Sequence, residues 1–218
     1  MEKYGKDFKE LSRNEKIWYL WEYYRRPALA IVIAVILVGG LLVNMLKPRE
    51  VNEVDITIAG GLITNDDLDN EMTRYKEEFN TGLFVTAIDW NMMSELVMVM
   101  QQKIMVMMQS KELDILVLPT DTFKQNLANS AGSMFIPLDE IPELAEIIKS
   151  HEVIRTGDVT AVDRNGEERE MEEHIWGIKV PKLAHLAGID EHEEMVIGIT
   201  ATAKDVTKAA NMVDYLVD

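Results

Sequence analysis

The chain has 218 residues, with 22 Lys+Arg against 38 Asp+Glu for a net charge of −16, and it contains no cysteine. So acidic a balance argues against nucleic-acid binding, which needs a basic footprint. The missing cysteine excludes disulfides, thiolate metal ligands, cysteine nucleophiles and a lipidated-cysteine anchor. An apolar fraction of 47% is enough for a packed core.

The first 26 residues form a short basic head with seven Lys/Arg. Ser12-Arg13-Asn14-Glu15 fits a capping box, with Ser12 as N-cap and Glu15 at the third helical position. The helix that follows carries Ile17, Trp18, Leu20, Trp21 and Tyr24, largely on one face. The plain expectation is a helix lying on the bilayer surface, and the sharper one a cytoplasmic helix that binds a partner.

The run ALAIVIAVILVGGLLVNML begins at Ala28 and ends at Leu46, and Asn44 is its only polar side chain. At ~1.5 Å per residue it spans about 28 Å, close to the ~30 Å hydrocarbon thickness of a bilayer. Aromatic residues and Arg25-Arg26 stand before it, as at a lipid–water interface, and Pro27 suits a first helical turn. After it only Lys47 and Arg49 occur before residue 74. The positive-inside rule puts the N-terminus in the cytoplasm and everything after the span outside. A cleaved signal peptide is the rival, but its apolar region is shorter, ~7–15 residues, and no A-x-A-like site follows here.

Residues 47–53 read as a linker of at most about 25 Å, which keeps the next domain near the membrane. From residue 51 on, 13 Lys/Arg face 32 Asp/Glu, a net −19, which suits a solvated surface beside an anionic bilayer. Strand and helix signals then alternate. Residues 54–59 read as a strand ended by Gly60-Gly61, and Thr64 or Asn65 caps a helix to about Phe79. Residues 83–88 form a strand, Ser94 opens a helix to about Gln109, and residues 113–118 form a strand before Pro119. Thr120 or Asp121 then caps a helix to about Asn129. A helix follows at 142–149, then a polar hairpin at 157–173 turning at Arg164-Asn165-Gly166, strands at 175–180 and 195–200, and a closing helix at 204–217. This order predicts an α/β protein: a transmembrane helix (27–46), a linker (47–53), and a three-layer α/β/α lobe (54–218) with a mostly parallel sheet.

Three pieces of this lobe resemble one family. They are DILVLPTDTFKQNLANSAGSMFIPLDEI (114–141), IWGIKVP (175–181) and MVIGITATAKDVTKAANMVDYLVD (195–218), in that order. Together they resemble the extracytoplasmic solute-binding proteins of ABC transporters, with a type II periplasmic-binding fold. The resemblance implies a lobe that takes part in ligand capture. Such proteins have two lobes, the second inserted after the crossing strand. Here only the 14 residues 181–194 lie between IWGIKV (175–180) and MVIGIT. That implies a single lobe held by a membrane helix, without capture by lobe closure.

In open α/β sheets ligands bind beyond the carboxyl ends of the parallel strands. That edge offers Gly60, Gly61, Trp90, Asn91, Thr120 and Asp121, with helix amides for an anion and Trp90 for a sugar or peptide. The plainer expectation is that the glycines only turn the chain and Trp90 covers the core. His151, His174, His185 and His192 are scattered without metal-ligand spacing, and no nucleophile elbow, phosphate loop or dinucleotide fingerprint occurs. No metal, no cofactor and no enzymatic activity are expected. Seven methionines lie between Met92 and Met108. Leu96, Met100, Ile104 and Met107/Met108 define a core face, which leaves Met98, Val99, Met105 and Val106 on other faces. Thioethers suit core packing or an adaptable protein interface; copper capture is a third use. The expectation is a single-pass, membrane-anchored, non-catalytic module that docks a partner protein or membrane complex, with Met98 and Met105 as contact candidates. The alternative is a receptor for a small solute (sugar, amino acid or peptide) serving an ABC transporter.

Overall fold

A computed structural model describes residues 12–46, 51–60, 62–64, 67–90, 95–130, 132–162, 168–183, 185–187, 189–191 and 194–217. The chain divides into two compact units, Met1–Glu50 and Val51–Asp218.

The first unit is one helix, α1 (Arg13–Leu46), of 34 residues. Ser12 stands at its N-cap, and its carbonyl accepts the first intrahelical bond from the Lys16 N–H at 3.0 Å. Within α1, Tyr24–Leu42 is a 19-residue stretch of mean hydropathy 2.0 with none of it buried. By length and composition it can cross a membrane. Pro27 lies inside α1, which corrects the expectation that it stands in the first turn of a helix. Proline removes one N–H donor but its fixed φ is helical. Breaking the helix there would leave several backbone groups of each new end without partners.

The second unit begins with β1 (Val54–Gly60) and β2 (Leu62–Thr64), then α2 (Leu68–Phe79), β3 (Thr81–Ala87), α3 (Glu95–Gln109), β4 (Ile115–Pro119) and α4 (Thr120–Ser130). It continues with α5 (Ala145–Ser150), β5 (Val153–Arg155), β6 (Ala161–Val162), β7 (Glu168–Arg169), β8 (Ile175–Val180), β9 (Ile189–Glu191), β10 (Met195–Ile199) and α6 (Val206–Val217). Six strands form one sheet in the order β3-β1-β4-β10-β8-β5. Both faces are covered, so its strands alternate between two buried clusters. Ile56, Ile58, Ile115, Val117, Ile197 and Ile199 pack toward α2, α5 and α6. Ala59, Leu116, Leu118, Trp176 and Val196 pack toward α3 and α4. The α/β/α layering holds.

The sheet itself is mixed, which corrects the expectation of a mostly parallel one. β1 pairs in parallel with β3 and β4, whereas β10 runs antiparallel to both β4 and β8, and β5 antiparallel to β8. The cause is the connections. Helices α2 and α3 carry the chain back for parallel pairing, but no described α-helix joins β5 to β8, whose only described helical turn is the 3-10 turn at Thr156–Asp158, or β8 to β10, so each of these strands returns antiparallel. The three pieces that carry the family resemblance fall on β4, β8 and β10, which are adjacent in the sheet.

Local differences have local causes. Thr64 lies in a strand, and Asp67 stands at the N-cap of α2 without a side-chain cap bond; Asn65 lies outside the described residues. Leu62–Thr64 pairs with Ile189–Glu191, a partner far away in sequence. β6 and β7 pair as the polar hairpin, while its turn at 163–167 lies outside the described residues, as do Gly61, Asn91, Ser94 and His192. Residues 181–194 are a short, pinned connection. The His185 carbonyl accepts hydrogen bonds from the Arg74 guanidinium (2.7 Å) and the Tyr75 hydroxyl (3.1 Å), and the His185 ring stacks on Tyr215 at 4.6 Å.

Candidate functional site

Two places gather the expected residues, and they differ in what they leave free. The first is the carboxyl edge of β1, β3 and β4. Gly60 is buried there, and a Cβ on it would lie 2.7 Å from Met195 Cε and 3.2 Å from Pro119 Cδ. Its carbonyl accepts the Ile88 N–H at 2.7 Å. The Trp90 indole N–H donates to the Ala59 carbonyl at 3.0 Å, and its ring packs on the cluster beneath α3. The Thr120 hydroxyl donates to the Glu194 carbonyl at 3.0 Å and lies 3.2 Å from its carboxylate. That carboxylate is in turn 3.3 Å from the Lys179 ammonium. Gly60, Trp90 and Thr120 are therefore brought together, but their polar groups are used within the protein. Asp121 is exposed on the first turn of α4. The β2–β9 ribbon stands at this same edge, because β2 follows β1 and β9 precedes β10.

The second place is α3. Only Met100 and Ile104 are fully buried on this helix. Met98 is 59% and Met105 54% exposed, as expected of residues off the core face. Leu96 is 61% exposed, which corrects its placement in the core. At 100° per residue Leu96 lies about 60° from the centre of the buried arc set by Met100 and Ile104, in the first turn of α3. Val99 (58%) and Val106 (61%) complete an outer face of five large apolar side chains. Lys103 is the only charge from residue 96 to 110, and its ammonium sits 3.3 Å from the centre of the Phe84 ring, a cation–π contact. The pairs Met98/Met105 and Val99/Val106 are each seven residues apart, the repeat by which one helix meets another. That spacing was the sequence signal for the two valines, which were not among the contact candidates.

Other polar clusters are structural in their geometry. The Asp114 side chain is 1% exposed and accepts backbone N–H bonds from Asp55 (2.7 Å) and Lys204 (2.6 Å). The Lys204 ammonium lies 2.6 Å from Asp55 and 3.3 Å from Asp114. Burial works against the Lys204 charge, but these carboxylates more than offset it and hold its pKa above the ordinary value. The His174 Nδ1–H donates to the Asp139 carboxylate at 3.1 Å, with the Glu172 carboxylate 3.5 Å and the Glu140 carboxylate 3.9 Å from Nε2. The Asp139 hydrogen bond raises the His174 pKa. Among the described residues no group of His, Asp or Glu has the geometry to hold a metal ion.

Comparison of the chain with protein-family models, curated proteins and solved structures found no match.

Proposed function

We propose that the chain is a membrane-anchored, non-catalytic binding module whose outer α3 face docks a protein. In this reading α1 is the anchor, with its basic N-terminal end in the cytoplasm, and residues 51–218 work outside the cell. The lobe is related to one lobe of the ABC-transporter solute-binding proteins.

One observation carries the reading: five large apolar side chains are exposed on a single helix in a unit whose net charge is −19. Contiguous exposed apolar surface of this size on a soluble domain marks an interaction site. The single-lobe relationship is supported by the adjacency of β4, β8 and β10 and by the short pinned connection at 181–194. The solute-receptor alternative would need polar groups free at the carboxyl edge, and those of Trp90 and Thr120 are already hydrogen-bonded within the lobe.

The test joins two measurements. Thermal-shift screening of residues 51–218 against sugars, amino acids, peptides and metal ions is expected to give no reproducible stabilisation. Chemical crosslinking of the full chain in its native membrane is expected to yield a protein adduct that is lost when Val99 and Val106 are changed to Gln. A tight shift with one small solute, together with an adduct indifferent to α3, would overturn the reading in favour of the receptor.

A further inference from the structure

We infer that the partner met by α3 is a second copy of this chain, with the two α3 helices antiparallel about a two-fold axis at Gln102. The inference rests on the reading of α3 as a docking face and names its occupant.

The first argument is the symmetry of the face. A two-fold interface uses the same patch on both copies, so the patch must be complementary to itself. Around Gln102 the exposed apolar residues stand at −4 and −3 (Met98, Val99) and at +3 and +4 (Met105, Val106). At 100° per residue, Gln102 lies midway between them around the helix as well as along it. In an antiparallel pair about this point Met98 meets Met105 of the second copy, and Val99 meets its Val106. The exposed Gln102 meets itself, and a primary amide both donates and accepts, so two of them pair reciprocally. Met98, Val99, Gln102, Met105 and Val106 each stand opposite a like residue, while Glu95 and Leu96, in the first turn of α3, lie outside this matched set.

Charge supplies the second argument. Two copies of a unit with net charge −19 repel over most of their surface. Residues 96–110 carry no acid, and their single cation is turned onto the Phe84 ring. This is a face on which like-charged copies can meet. A basic partner would be drawn to the acidic surface elsewhere, since α3 offers it a single carboxylate, Glu95 in its first turn.

The third argument is size. Five side chains exposed to this degree present on the order of 500 Å², against about 800 Å² from each partner of a stable soluble dimer. Such a contact suits copies confined to one membrane, where tethering raises their effective concentration.

Because the chain contains no cysteine, one introduced thiol reports a single position. The full chain carrying Gln102→Cys, oxidised in its native membrane with copper-phenanthroline, is expected to give a disulfide-linked dimer. Gln125→Cys, exposed on α4, is expected to remain monomeric. Met98→Cys and Met105→Cys are expected to crosslink when co-expressed and not when alone. Adding Val99→Glu and Val106→Glu to Gln102→Cys places four acids in the contact and should lower the dimer yield at least tenfold, with the circular dichroism spectrum unchanged. Met98→Cys that crosslinks to itself as well as Gln102→Cys does would overturn the antiparallel arrangement. If a bifunctional maleimide joins Gln102→Cys to a different chain, the second copy is wrong while docking by α3 stands. If neither reagent gives an adduct, and the glutamates change no complex extracted from the membrane, both readings fail.

Discussion

Asp114 shows how one buried charge sets the geometry of the end of the sheet where β1 and β4 begin. Its carboxylate takes two backbone N–H donors and faces the Lys204 ammonium, and Lys204 also bridges to Asp55. Lys208 adds an ion pair to Glu53 at 2.9 Å, so the residues that lead into β1 are held by α6 and the loop before it. Removing the Asp114 carboxylate leaves Lys204 its Asp55 partner but strips the Asp55 and Lys204 N–H groups of their acceptor, and a buried donor left unpaired costs about 1–3 kcal/mol. Asp114→Ala is therefore expected to lower the stability of residues 51–218 by about 2–4 kcal/mol, read from urea denaturation. His174 gives a pH-dependent counterpart. Its pKa is raised by the Asp139 hydrogen bond, with Glu172 and Glu140 adding to it. Asp139 is held below the usual carboxylate range: burial opposes its charge, but the Ile175 N–H and His174 outweigh that. A raised histidine contributes stability that is fully present below its unfolded pKa of about 6.5 and fades as pH rises through its folded value. His174→Gln should thus depress the melting temperature most near pH 5.5 and least near pH 9. A deficit that grows with alkalinity would show that the pair is not the source.

At the scale of elements, α3 and α4 cover the same face of the sheet in opposite ways. On α4 the Phe123 ring lies over Gly177 of β8 and Gly198 of β10, where a Cβ would come within 2.8 and 2.7 Å of the ring, and it packs on Phe135 at 4.5 Å. The large apolar side chains of that helix, Phe123 and Leu127, are both buried. On α3 only one narrow side is buried, and its outer face is apolar without a covering element among the described residues. Replacing both Met98 and Met105 by Gln exposes two more amides to water and removes nothing from the core. Surface changes of this kind stay within about ±0.5 kcal/mol per site. The melting temperature of residues 51–218 is expected to be unchanged, while adducts formed by the full chain in membranes are lost. A melting temperature lower by many degrees would mean the two thioethers pack inside, since burying an unpartnered amide costs about 1–3 kcal/mol.

For the whole molecule, the proposed arrangement has a charge basis that can be altered. Seven Lys/Arg precede the span, and two of them, Arg25 and Arg26, stand at its edge. Protease added to intact cells after wall removal is expected to digest beyond about residue 50 and to spare the first 26. Neutral replacements at Arg25 and Arg26 should weaken that asymmetry, because the bias follows the basic residues closest to the span. Protection of residues 51–218 in intact cells would place the lobe inside and end the extracytoplasmic reading.

Periodicity and punctuation in the chain were sufficient for the apolar helix, for the α/β character and for strands such as Ile175–Val180, since these depend on neighbours a few residues apart. That Met98 and Met105 stand off the stripe set by Met100 and Ile104 was legible for the same reason, but their exposure was not, because the same pattern suits a helix buried on several sides. Strand direction was not legible. β10 is antiparallel between β4 and β8, and the 181–194 connection that leads to it carries no described helix. The three-residue β2 and β9 are stable only as partners of each other across more than a hundred residues. The state of the carboxyl edge was hidden too, since Thr120 is bound by Glu194 and Trp90 by Ala59, both distant in the chain. Tertiary structure alone decided these points, because a hydrogen bond or a packing contact between remote residues leaves no periodic trace in the sequence of either one.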